Sequence, residues 1–205
     1  MNTALTSSAL AVVLGTALAA PAAAEPVRWS VGDEARMAAD AASFAPPDLK
    51  RQLARHSRRL MQGVSDASAA ETGARDASAH RAAAARGARS LAEAIRRHTA
   101  FDDVVYQMGG IVHEFALALP PQGGAAPEVS KTARFLGYPS EPFAAPETLA
   151  AAPLPANTAR ERYDAAVTLS ARLFAWIWKT AGGDAASVTQ YPASKGPYAV
   201  REQQP

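Results

Sequence analysis

Apolar residues recur three and four positions apart along most of the chain, and the stretches that carry this spacing predict helices. The clearest runs from Phe101 to Pro121: Val104, Val105, Met108, Ile111, Val112, Phe115, Leu117 and Leu119 give it the pattern of a mostly buried helix. Pro120-Pro121 ends it, because proline supplies no amide donor and clashes with the preceding turn. A shorter helix is expected over Asp33 to Phe44, with acids at its start that suit the positive end of the helix dipole. Pro47-Asp48 opens a second helix, expected to run to about Val64. Leu49, Leu53, His56, Leu60 and Val64 share one side of it, and Lys50, Arg51, Arg55, Arg58 and Arg59 form a solvated remainder. Asp76 to Arg97 is the third long helix, and Ala159 to Ala181 the last. Asn157-Thr158 caps that last helix, Gly182-Gly183 stops it, and its stripe of large apolar side chains is a core face.

Two connections separate these helices. Gly63 to Gly73 is polar and rich in small residues. Gln122 to Ala156 is rich in proline, glycine and alanine, but Phe135, Leu136, Tyr138 and Phe143 would anchor it to the bundle, with a short helix over Glu128 to Leu136. Runs of valine, isoleucine and threonine that would make strands are missing. The fold class is therefore all-α, a single-domain bundle of about five helices, and 205 residues suffice for one core.

Residues 1 to 24 have the form of a secretory signal: an apolar stretch from Ala9 to Ala20, then Pro21 and the small-residue cleavage pattern Ala22-Ala23-Ala24. The n-region has no Lys or Arg. The expected organisation is a signal peptide over 1–24, a helical domain over 25–183 and a mobile polar tail over 184–205, in a protein exported to the periplasm or medium. No later segment has the roughly 20 apolar residues of a membrane span. The formal net charge of +2 gives no strong nucleic-acid signal. There is no cysteine, which excludes disulfides, thiolate metal sites and a cysteine nucleophile. The serine-hydrolase elbow, the phosphate loop, the dinucleotide fingerprint and the His-Glu-x-x-His zinc motif are also absent.

Four histidines remain as candidate chemistry. His113 is the one ionisable ring on the apolar side of the central helix, where an imidazole needs a hydrogen-bond partner or a metal; a satisfied core residue is the plainer alternative. Gly109-Gly110, one turn earlier, suggests close approach of another backbone. Asp76 and His80 stand four apart, on one face of their helix, as a metal-ligand pair or an ordinary Asp–His hydrogen bond. His56 lies on or beside the apolar stripe of its helix. His98 ends the third helix, where a cation favours the dipole.

The order of these elements resembles a known superfamily. Trp29, the helix after it, PPDLKRQLARHSRRLMQGV, an Asp/His helix, VVYQMGGIVHEFALALPP and a final YDAAVTLSARLFAWIWKTAGG are similar to the exported zinc-dependent phospholipase C and single-strand nuclease superfamily. The resemblance implies an all-helical domain holding three zinc ions through His, Asp, Glu and the amine and carbonyl of a leading Trp. Those metals activate water for attack on a phosphodiester. His113 matches the histidine of the superfamily's His-x-x-x-Asp motif, but Leu117 stands where the aspartate belongs, and no histidine follows His113 to supply a second such pair. Trp29 corresponds to the leading Trp only if cleavage falls directly before it.

Carried over in this way, the resemblance leaves Asp33, Asp76, His80 and His113 as one reduced metal site, with Glu114 turned outward behind it. Zinc in fewer than three ions, or no metal at all, is the expected cofactor state. The ligand expected of an active protein is a phospholipid headgroup or another phosphodiester. Three functions stay open: a metal-dependent phosphodiester hydrolase of the phospholipase C or nuclease type; a non-catalytic periplasmic binding or interaction protein on the same scaffold; and an unrelated bundle whose histidines are all structural.

Overall fold

The computed structural model describes residues 27–73, 75–122 and 133–190. It is all-α: among these residues there are seven α-helices and no strand. In chain order they are α1 (Val31–Ser43), α2 (Pro47–Arg55), α3 (Ser57–Ala70), α4 (Ala77–Arg96), α5 (Phe101–Ala118), α6 (Pro146–Ala151) and α7 (Ala159–Thr180), followed by a 3-10 helix, Ala186–Gln190. The expected signal segment lies outside the described residues. No described helix is long and apolar enough to cross a membrane.

α5 and α7 form the centre. Val104, Val105, Met108, Val112 and Phe115 of α5 are fully enclosed, as are Tyr163, Leu169, Leu173 and Phe174 of α7. Around them α5 packs chiefly against α3 and α4, while α1 lies across α3 and α7. Capping sets several of the ends. Ser30 and Asp33 form a reciprocal capping box at the start of α1, and Thr158 and Glu161 do the same for α7. α7 ends in a Schellman turn, with Gly182 at φ 95° and the Gly183 amide bonded to the Trp178 carbonyl. His98, at φ 58°, takes the equivalent left-handed position after α4, so its place there is a backbone device.

The expected second helix is two helices. The break falls at His56, whose backbone leaves helical values at φ −107° and ψ 20°. Its ring pairs with Asp102 and stands edge-on to Phe101, 5.7 Å between centroids, which ties the break to the start of α5. Beyond it the chain stays helical to Ala70, through most of the expected Gly63 to Gly73 connection. The reason is packing. A Cβ on Gly63 would lie 1.8 Å from the Tyr106 carbonyl oxygen, and one on Gly109 would lie 2.4 Å from that of Leu60. The two glycines let α3 and α5 cross backbone to backbone.

The long connection is ordered where it is described. It contains α6; of the expected short helix over Glu128 to Leu136, residues 128–132 lie outside the described residues and 133–136 are not helical. Side chains of α1 and α7 hold it: the Ala133 amide donates to Asp40, the Arg134 amide to Asp164 and the Leu136 amide to Thr168. Arg172, buried in α7, donates through Nε and Nη2 to the Gly137 carbonyl, and burial lowers its pKa to about 10. Of the expected mobile tail, the start is packed, since Ala185 and Val188 are buried against Tyr138 and Ala175, and residues 191–205 lie outside the described residues.

Candidate functional site

His113 and Glu114 are neighbours on α5, so the 100° step of the helix sends their side chains in different directions. His113 turns toward α1. Its Nδ1 lies 2.8 Å from Oε2 of Glu34, and both residues are buried. Glu114 turns toward α4, where its Oε2 lies 2.7 Å from Nδ1 of buried His80. A carboxylate only accepts, so in each pair the proton sits on Nδ1 and the ring donates.

The α3–α4 connection closes the gap between the two pairs. Glu71, just past the end of α3, places Oε2 3.8 Å from Nε2 of His113. A single nitrogen, Arg75 Nη2, donates to Glu71 Oε2 at 2.7 Å and to Glu114 Oε1 at 3.2 Å. The result is one chain of ionisable groups: Glu34, His113, Glu71, Arg75, Glu114, His80. Burial opposes ionisation of Glu71, but the hydrogen bond and charge of Arg75, with help from the Gly73 amide, outweigh it and hold the carboxyl below its ordinary range. The same contact holds the Arg75 guanidinium above its ordinary value.

This chain borders a pocket of about 370 Å³ between α3, α4 and α5. Its walls are mostly methyl groups and helix backbone, from Ala67, Ala70, Ala84, Gly87 and Gly110, together with Ile111. Gln107, Glu71, Glu114 and His113 supply the polar groups. Gly110 matters to its shape, because a Cβ there would meet nothing within 4 Å. His113 Nε2 is buried and has no hydrogen-bond partner among the described residues. A buried ring nitrogen left this way costs about 1–3 kcal/mol.

Of the four residues expected to bind metal, the structure brings two to this place. His80 and His113 flank the network. Asp76 is the N-cap of α4, exposed, accepting from the Ala79 amide and the Ser78 hydroxyl, each at 2.7 Å. Those bonds lower its pKa and use its Oδ1 as a cap. Asp33 closes the capping box of α1 with Ser30 and is partly exposed. Trp29 uses its indole N–H to cap the end of α5, donating to the Leu119 carbonyl at 2.8 Å. Glu114, expected to face outward, is tied to both His80 and Arg75.

The residues present do not fit a three-zinc cluster. Among the described residues, no group of three or more His, Asp or Glu side chains could hold a metal ion. His113 Nε2 and Glu71 Oε2 at 3.8 Å come nearest, since two ligands on one tetrahedral zinc sit about 3.4 Å apart. But Glu71 and Glu114 already share a guanidinium, so a positive charge stands where an ion would have to enter.

Glu34, Glu71 and Arg75 were not legible as site residues from spacing alone. Only Glu34 left a signal: with Met37, Ala38 and Ala41 it makes an i, i+3, i+4, i+7 stripe, all of it buried. A carboxylate in register with an apolar face needs a buried partner. No protein-family model, curated protein or solved structure matches the chain.

Proposed function

We propose that the chain is an exported, non-catalytic binding protein on a helical scaffold resembling the zinc-dependent phospholipase C and nuclease superfamily, with the metal cluster lost. The observation that carries this reading is the position of Arg75 Nη2 between Glu71 and Glu114. A guanidinium neutralises those carboxylates, yet it cannot lower the pKa of a bound water as a Lewis-acid metal does, so the site has no hydroxide to deliver to phosphorus. Leu117 in the expected aspartate position and the capping roles of Asp33 and Asp76 support the same conclusion.

The pocket supports binding in place of hydrolysis. Its alanine, glycine and Ile111 surfaces are apolar and Glu71, Gln107, His113 and Glu114 supply polar groups, which suits a small ligand with an apolar body and a polar group. The test is hydrolysis of bis(p-nitrophenyl) phosphate and single-stranded DNA, with and without excess zinc. The expected rate equals the buffer blank in both; a zinc-stimulated rate abolished by His113→Ala would overturn the proposal.

A further inference from the structure

We infer that the pocket takes a small primary amine, with its apolar body against the alanine and glycine walls and its ammonium group among Glu71, Glu114 and His113. The inference rests on the reading of the pocket as a non-catalytic binding site and names the ligand class. Charge at the polar end favours a cation. Two carboxylates, Glu71 and Glu114, belong to the pocket lining, and no lysine or arginine does. Arg75 lies outside the lining and shares one nitrogen between both carboxylates. Glu34 adds a third carboxylate behind His113, so the network sets three carboxylates against one guanidinium. Even with both imidazoles protonated its charge would not be positive, so a ligand anion has no net attraction here.

The hydrogen-bonding groups ask for a donor. An ionised carboxylate only accepts, and each of these two keeps lone pairs beyond its bonds to Arg75, the Gly73 amide and His80. His113 donates from Nδ1 to Glu34, so its neutral ring presents Nε2 as an acceptor. That atom has no partner among the described residues, and Glu71 Oε2, at 3.8 Å, is beyond hydrogen-bonding reach. A ligand carboxylate, phosphate or ether has no proton to give these groups, whereas an ammonium group has three. The cavity limits the rest of the molecule. At about 370 Å³ it lies near the small end of ligand sites, and Ala67, Ala70, Ala84, Gly87 and Ile111 offer an aliphatic or single-ring body only apolar contact.

The experiment is titration of the untagged full chain at neutral pH, followed by ligand-observed NMR, with benzylamine and n-butylamine, each beside its matching alcohol and carboxylate, and with benzyltrimethylammonium. Expected is amine binding about tenfold or more tighter than that of the matching alcohol, and none of the carboxylates. Benzyltrimethylammonium, which carries the charge but no N–H, should fall below benzylamine by a similar factor. Glu71→Gln, checked for helicity by circular dichroism, should lose about tenfold in amine affinity and leave the alcohol unchanged, and Gly110→Phe should abolish amine binding. Absence of amine binding would overturn the inference, as would an alcohol, a carboxylate or the quaternary cation binding as tightly as the amine, or amine affinity unchanged in Gly110→Phe. The ranking of ligands in wild type needs no variant, so the test stands if Glu71→Gln fails to fold. Failure of the functional reading is distinct, because it shows as zinc-stimulated phosphodiester hydrolysis by the wild type.

Discussion

His113 Nδ1 and Glu34 Oε2 lie 2.8 Å apart, joining two buried residues that are 79 positions distant in the chain. The pair is asymmetric. An imidazole that loses its partner can remain neutral, but a carboxylate that loses its partner stays buried with its charge or must take up a proton. His113→Ala is therefore expected to destabilise by about 3–5 kcal/mol. Glu34→Ala is expected to cost about 1–3 kcal/mol, from the stranded Nδ1 donor. In the double variant the two effects fall short of their sum by at least about 1 kcal/mol. Urea denaturation of the four proteins checks this, and simple additivity would mean that the two side chains are not coupled.

Adjacent glycines on α5 should respond to alanine in opposite directions. The Cβ of Gly109→Ala would lie 2.4 Å from the Leu60 carbonyl oxygen and 2.6 Å from the Val64 amide nitrogen, both rigid backbone, so α3 and α5 must separate. A loss of about 2 kcal/mol or more is expected, in the range of overpacked cores. Gly110→Ala meets nothing and replaces a poor helix former with the best one, a gain of up to about 1 kcal/mol. Thermal denaturation of the two variants measures the contrast, and equal effects would refute the close crossing.

A large side chain at Gly110 should close the pocket without disturbing the core. Gly110→Phe is expected to retain wild-type helicity and melting behaviour while abolishing binding of small-molecule fragments seen by ligand-observed NMR. Fragment binding unchanged in Gly110→Phe would place the ligand site elsewhere.

Acid should weaken the fold partly through Glu71. Its carboxyl titrates below the ordinary value of 4.5 in the folded chain, so the folded state binds fewer protons than the unfolded one in that region. The stabilisation is fully present above about pH 4.5 and is lost as pH falls through the lower folded value. Glu71→Gln should therefore be less stable than wild type at pH 7, with the gap narrowing toward pH 3. A gap independent of pH would show that the Arg75 contact does not favour the ionised carboxylate.

Much of the fold follows from local pattern. The α5 stripe, the Pro120-Pro121 stop and the Gly182 turn are rules of spacing and backbone conformation that act within a few residues. The break at His56 and the helical continuation through Gly63 are not local, because each depends on what α5 presents across the interface. The site divides in the same way. The two histidines stood out as ionisable groups on or near apolar faces. Asp76 stood out by its four-residue spacing from His80 and Asp33 only through the resemblance, and both instead serve the starts of their helices. Glu71 and Arg75 sit in a connection without periodicity, and only the crossing of α3, α4 and α5 gives them partners.

The most direct test of the account is the zinc content of the wild-type protein, purified without a polyhistidine tag and measured by elemental analysis. With Arg75 bridging Glu71 and Glu114, the account predicts zinc far below one equivalent per chain in a protein that is fully helical by circular dichroism. One or more tightly held zinc ions per chain, lost in His113→Ala, would contradict it.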